Sequence, residues 1–238
     1  MFPFKHRHSL IDSHLVEGLT DYHSHILPGV DDGVKHLNDS LAILKEYERL
    51  GLRKIYFTPH IMEDYPNNQP VTLMEKFSSF KKQYDGSIEI YLAGEHMLDY
   101  AFWHSIKEKN VLTIDSNKVL VEFPFINGLI NIEEHLIKIQ EAGYQVILAH
   151  PERYLFLDKA TIQKLKSRNI LFQLNLFSLV GVYNSNIKNR AQELLNKNYY
   201  NYIGSDIHSY QSFFDCIKIK SFSSKQITQL EQLKQHSL

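Results

Sequence analysis

The chain has 238 residues, a formal net charge of −1, and 43% hydrophobic and 22% charged content. That length admits one large α/β domain or two small ones, and the near-neutral balance gives no footing to a polyanionic partner such as nucleic acid. A single cysteine, Cys216, excludes an internal disulfide framework. No apolar run approaches the roughly 18 residues of a membrane span, so membrane insertion is not expected.

In chain order, Met1 to His8 carry charge with no apolar stretch behind them. They do not read as a secretory signal, and a cytoplasmic location is expected. Residues 1–18 read as an extension ahead of one domain over 19–238. From there, apolar β-type runs alternate with helix-type patterns. Strands are predicted at Thr20–Ile26, Lys54–Thr58, Ile88–Ala93, Lys118–Phe123, Gln145–Ala149, Ile170–Leu176 and Tyr202–Gly204. Helices are predicted near 38–50, 71–84, 99–109, 131–142, 159–168, 187–197 and 223–235. Leu41, Leu44 and Tyr47 recur at helical spacing and Gly51 stops that helix; Ile132, Leu136 and Ile139 do the same ahead of Gly143. Strict alternation with near-continuous apolar strands points to a parallel sheet covered by helices. Seven such units point to a closed barrel, with the strand C-terminal ends sharing one rim.

Metal-ligand residue types collect at those ends. His23 and His25 stand two apart after the first strand, so an extended backbone aims both at one point. Asp21 shares their parity but lies deeper. Asp31-Asp32-Gly33 follows as a turn, and Asp32 is the carboxylate expected to reach a metal. His60 ends the second strand behind Pro59. Glu95 closes the run Ile90 to Gly94, where a buried carboxylate is costly unless paired, and it is the candidate bridge between cations. His96 points the other way and is expected to be structural. Glu122 closes the fourth strand, His150 the fifth, and Asp206 with His208 repeat the two-apart geometry on the last. Arg153 offers a planar donor fork suited to phosphate or carboxylate. His6, His8, His14, His36, His104 and His135 lie away from strand ends and are expected on the surface or in packing. Nine candidate ligands (His23, His25, Asp32, His60, Glu95, Glu122, His150, Asp206 and His208) exceed the needs of one ion, so two or three ions sharing a carboxylate are expected. Imidazole–carboxylate mixtures take Mn, Fe, Zn or Co.

The segments Asp21-Tyr22-His23-Ser24-His25, Thr58-Pro59-His60, His150-Pro151-Glu152-Arg153 and Ser205-Asp206-Ile207-His208 resemble the PHP (polymerase and histidinol phosphatase) superfamily. The stretches His23 to Gly33 and Ala149 to Tyr154 are similar, more narrowly, to the bacterial PHP-type protein-tyrosine phosphatases known as CpsB, CapC or YwqE. The likeness covers about residues 19–210. It implies an α/β fold, a distorted seven-stranded (β/α)7 barrel of PHP type, with a trinuclear, usually manganese-dependent centre. It also implies a substrate: the phosphotyrosine tail of a bacterial tyrosine kinase that controls capsular or exopolysaccharide synthesis. Carried over by position, the nine residues above become the metal ligands and Arg153 the phosphoryl-binding arginine. Arg153, His60 and His208 are taken as the catalytic residues. The chain departs from the family after His208, where Ser209-Tyr210-Gln211-Ser212-Phe213 stands in place of a frequent second arginine.

Other chemistries compete. A PHP hydrolase of a small phosphate metabolite, such as histidinol phosphate, keeps the same ligands. A non-catalytic metal-binding regulator would bind a kinase tail without cleaving it. A zinc amidohydrolase also opens with HxH, but no lysine occupies a comparable strand end here. Cysteine-based phosphatases use C-x5-R, and Phe222 stands six residues after Cys216. An oligomer is compatible with the sequence.

Overall fold

In the computed structural model, residues 6–124 and 131–236 are described. Helix α1 (Leu10–Ser13) precedes strand β1 (Thr20–Asp21), and α2 (Leu37–Arg49) leads to β2 (Lys54–Phe57) and β3 (His60–Ile61). Then α3 (Pro70–Lys81), β4 (Glu89–Leu92), β5 (Glu95–Met97), α4 (Tyr100–Lys107), β6 (Lys118–Glu122) and α5 (Ile132–Glu141) follow. The last part holds β7 (Gln145–Ala149), a 3-10 turn at Pro151–Arg153, α6 (Lys159–Ser167), β8 (Leu171–Asn175), α7 (Leu176–Val180), α8 (Ser185–Asn196), β9 (Tyr202–Gly204), α9 (Tyr210–Cys216) and α10 (Ser224–His236).

All strand pairs are parallel, in the orders β1-β2-β4 and β3-β5-β6-β7-β8-β9. The described residues hold nine strand segments, one inside each of the seven expected runs and two, β3 and β5, just past the ends of the second and third. Pro59 has no N–H to donate and separates β2 from β3, while Gly94 separates β4 from β5. The register places His60 beside Glu95, and Glu122 two residues further along beside Met97, so the chemistry-bearing residues of three segments gather at one end of the sheet. The first strand is much shorter than expected. Its backbone is diverted because the Asp21 carboxylate accepts from the N–H groups of His23 (3.1 Å) and Ser205 (2.9 Å). Backbone bonds from Tyr22 N to Ile203 O (3.0 Å), Asp206 N to His23 O (2.8 Å) and His25 N to Ile207 O (3.0 Å) nonetheless join the first segment to the last.

Strand alternation sorts the core into two layers. On β6, Val119 and Val121 pack outward in the large cluster that includes Leu136 and Ile139 of α5. Leu120 faces the other way, with Tyr22, Tyr56, Ile147 and Ala149. Tyr22 stacks on Tyr56 (ring centroids 5.4 Å) and meets Tyr202 edge-on (4.6 Å), which fills the interior beneath the candidate site. Residues 10–16 of the stretch read as an extension pack on this body. Leu10, Leu15 and Val16 are buried in the core, and Ile11 N bonds Ile217 O. Among the described residues no helix is long and apolar enough to cross a membrane.

Candidate metal centre

The strand ends bring all nine expected ligands and Arg153 into one connected cluster. Glu95 is its hub. Its Oε2 lies 3.1 Å from both His23 Nε2 and His25 Nε2 and 3.2 Å from His60 Nδ1, while its Oε1 lies 2.9 Å from His150 Nε2. Glu122 Oε1 is 2.9 Å from His60 Nδ1. Asp206 Oδ1 is 3.4–3.5 Å from His23, His25 and His208. Asp32, on the exposed rim, is 3.4 Å from His60 Nε2 and 3.6 Å from His208 Nε2. Three overlapping groups can each hold a cation: His25-Asp32-His60-His208, His23-His25-Glu95-Asp206 and His60-Glu95-Glu122.

The backbone bends to aim these groups. His150 (φ 33°) and Asp206 (φ 53°) both adopt left-handed conformations at the ends of their strands. Such positions cost about 1–3 kcal/mol for a residue with a side chain and persist where the surroundings fix them. Gly33 is required where it is, because a Cβ there would sit 2.1 Å from the His25 carbonyl oxygen.

Hydrogen bonds fix the imidazole orientations. The Asp31 carboxylate can only accept, so His25 Nδ1 donates to its Oδ2 (2.8 Å). Gln173 Oε1 accepts from His23 Nδ1 (2.9 Å) and from His150 N (3.3 Å), while its amide nitrogen donates to Leu174 O (2.6 Å). His208 Nδ1 donates to Asp206 O (3.0 Å). In their neutral forms His23 and His25 therefore turn bare Nε2 lone pairs toward each other at 3.0 Å, alongside two carboxylate oxygens. His60 Nδ1, Glu95 Oε2, Glu122 Oε1 and Asp206 Oδ1 are buried and make no hydrogen bond. Several acceptors converging with no hydrogen between them fit a divalent cation.

Without a cation, protons must serve. Burial pushes His23 down, but Glu95 and Asp206 outweigh it and lift the imidazole to about 9. Burial opposes protonation of His25 too, yet Asp31 and Glu95 hold its pKa well above the ordinary value. Burial likewise works against the Glu95 anion, but His23, His60 and His150 keep its carboxyl well below the usual range. Glu122 is pushed up by burial and by the charge of Glu95. Burial, helped by Arg153, pushes His150 down to about 4.

The two oxygens of Asp206 divide their work. Oδ1 faces the histidines, whereas Oδ2 accepts from Arg153 Nη1 (2.8 Å) and Asn175 Nδ2 (2.8 Å). Arg153 also lies over the Tyr183 ring, 5.0 Å from its centroid. The neighbouring Glu152 is wholly buried and accepts from Asn175 N and Tyr200 OH, both at 3.0 Å.

Gln173 and Asn175 escaped the sequence reading, and Asp31 was named there only beside the preferred Asp32. Gln173 and Asn175 follow Leu171 at period two, the one signal that marked them as inward-facing. Asp21, its parity notwithstanding, turns to Tyr47 OH (3.1 Å) and backbone N–H groups. His96 is buried against Leu112 O (3.1 Å), as its opposite orientation implied.

Residues 19–219 match the family described as capsular polysaccharide synthesis, CpsB/CapC. The chain belongs to that family. It is 28% identical over 201 residues to CapC of Staphylococcus aureus, covering 80% of this chain and 77% of the relative. It is 27% identical over 198 residues to the tyrosine-protein phosphatase YwqE of Bacillus subtilis, covering 80% and 78%. Its fold matches a solved structure from the work on YwqE of Bacillus subtilis and CpsB of Streptococcus pneumoniae, described as metal-dependent tyrosine phosphatases. The TM-score is 0.76 at 24% identity, over 92% of this chain and 88% of the other. Relatives in this family thus carry the same parallel α/β fold.

Proposed function

We propose that this chain is a metal-dependent phosphomonoester hydrolase acting on protein phosphotyrosine. In this reading His23, His25, Asp32, His60, Glu95, Glu122, His150, Asp206 and His208 hold two or three divalent cations, with manganese the first candidate. The observation that carries it is the cluster of buried, hydrogen-free acceptor atoms around Glu95, which a cation satisfies and a proton satisfies only in part. When bound, the cations would lower the pKa of water toward neutrality and offset negative charge on phosphoryl oxygens. Arg153, held by Asp206 and the Tyr183 ring, presents its guanidinium to the phosphoryl group. Gln173 and Asp31 orient His23 and His25 so that their Nε2 atoms stay available. His60 and His208 flank Asp32 at the open side of the cluster, where substrate arrives. A phenol leaves readily, with a pKa of about 10, which lessens the demand for a strong acid.

The relatives' names support a protein phosphotyrosine substrate and the family's description a role in capsular polysaccharide synthesis; the substrate in this reading is the phosphotyrosine tail of a bacterial tyrosine kinase that controls capsule or exopolysaccharide synthesis, met in the cytoplasm. Counting β2 with β3 and β4 with β5 as single interrupted staves supports a seven-stranded barrel, with residues 19–238 as its domain. The test is phosphate release from a phosphotyrosyl peptide and from histidinol phosphate, with and without manganese. Manganese-dependent release from the peptide, lost in His150→Ala, is expected. Preference for histidinol phosphate would move the reading to a metabolite hydrolase, and no release from either would leave a regulator.

A further inference from the structure

Arg153 rests on two supports, and both lead to one side chain. Its Nη1 donates to Asp206 Oδ2 (2.8 Å), and its guanidinium lies over the Tyr183 ring, 5.0 Å from the centroid. Asn175, wholly buried at the end of β8, meets both supports. Its Nδ2 donates one hydrogen to Asp206 Oδ2 (2.8 Å) and the other to Tyr183 OH (2.8 Å). The phenol closes the triangle with a longer bond to the same Oδ2 (3.4 Å). The amide is held against turning over, because its Oδ1 accepts from Phe177 N (2.9 Å) in the first turn of α7. Its backbone N–H is fixed as well, donating to Glu152 Oε1 (3.0 Å), and the other oxygen of Glu152 is held by Tyr200 OH (3.0 Å).

We propose that Asn175 is a positioning residue for the phosphoryl-binding arginine, setting Arg153 through both of its supports at once. The inference rests on the phosphatase reading above. A carboxylate oxygen has two lone pairs. On Asp206 Oδ2, Asn175 Nδ2 takes one and Arg153 Nη1 the other, while Oδ1 faces the histidines. Without the amide, Oδ2 has room for a second guanidinium N–H, and arginine favours such two-toothed pairing with a carboxylate. Arg153 then turns into its own support instead of toward a phosphoryl oxygen. The Tyr183 ring loses, in the same step, the bond that fixes its face under the guanidinium. Displacements of that order at a reacting group are enough to weaken its hold on substrate.

The test is a double-mutant cycle on orthophosphate affinity, read by calorimetric titration of the full chain at saturating manganese. Asn175→Ser removes Nδ2 and keeps a hydroxyl to cap α7. It is expected to weaken orthophosphate binding about tenfold, the scale of one lost bond to a charged group. Beside Arg153→Ala the same change is expected to cost less than about twofold, because no guanidinium is left to position. Tyr183→Phe keeps the ring, at a position 40% exposed, and follows the same pattern at severalfold, so it carries the cycle if the serine variant misfolds. Losses that add in full to that of Arg153→Ala, as a support for the cations through Asp206 alone would give, overturn the proposal. Wild-type affinity in both variants, or in Arg153→Ala itself, does the same. Phosphate release from a phosphotyrosyl peptide is measured alongside. An intact cycle with no release upholds the positioning role and defeats the hydrolase reading.

Discussion

Replacing Asp31 by Asn is the most informative single change, because Asp31 meets the candidate centre through the His25 ring and the His60 backbone. Its Oδ2 accepts from His25 Nδ1 (2.8 Å) and His60 N (2.9 Å), and its Oδ1 from Gly33 N (2.9 Å). Asparagine has one acceptor oxygen. Placed toward Gly33, it confronts His25 and His60 with an NH2 group; placed the other way, it confronts Gly33. Either orientation leaves at least one buried N–H without an acceptor, at a cost of about 1–3 kcal/mol to the fold. The lost charge also weakens the Nδ1 bond that keeps His25 Nε2 directed at Glu95 and Asp206. Partners of this kind are worth about 10–100-fold in metal affinity, or roughly 1.4–2.7 kcal/mol. The assay is competition for manganese against a fluorescent chelator, with thermal unfolding measured alongside. Unchanged affinity in a folded Asp31→Asn protein would refute the claim that Asp31 sets the His25 orientation.

Arg153→Ala should lower kcat/KM on a phosphotyrosyl peptide by about 100- to 1000-fold, the scale of one lost donor to the reacting group. Arg153→Lys should recover little of it, and equal activity in wild type and Ala variant would remove Arg153 from the mechanism. Manganese binding at pH 7 should release protons, because His23 holds one up to about pH 9 in the cation-free site; a calorimetric heat independent of buffer ionisation would contradict this. The same raised value sets a stability window. The protonated His23 stabilises the chelated fold below about pH 6.5, and that contribution fades as pH rises through about 9. Melting temperature should therefore fall over that range in chelated protein and hold steadier in loaded protein; parallel curves would refute it. Chelation should lower the melting temperature and readdition of manganese restore it, by about 4 kcal/mol at a thousandfold excess over Kd.

The chemistry-bearing residues were legible because strands announce themselves as apolar runs, and an acid or imidazole at the end of such a run has few bland explanations. His150 after Val146 to Ala149 and Glu122 after Val119 to Val121 are of this kind. The supporting residues were harder. Asp31 and Asp32 are adjacent acids in one turn, and only the folded chain separates the buried one under His25 from the one on the rim. Gln173 is a neutral amide, and its importance lies in the direction of one oxygen. Helix α7 went unread, with only Leu176 taken as the end of a strand, because Leu176 to Val180 is five residues long and apolar but for Ser178, too short to show a helical period. Helix α9 went unread for another reason. It is two turns long, and its start rests on Ser209 accepting from Ser212 N. The first strand was overextended because nothing in Thr20 to Ile26 reveals that the Asp21 side chain replaces a neighbouring strand as acceptor.

The seam between His23 and Asp206 has a consequence for biosynthesis. The two halves of the cation cluster are separated by nearly the whole polypeptide, and the backbone bonds that bring them together are among the most distant in the chain. A ribosome-bound fragment lacking residues 206–238 has no Asp206, no His208 and no Asp206 N–H for the His23 carbonyl. Manganese or any rival ion in the cell therefore meets a finished coordination cage only after the C-terminal part of the chain has emerged and docked. Loss of that final stretch by nonsense mutation or proteolysis would break two of the three cation-holding groups at once and leave only His60-Glu95-Glu122 intact.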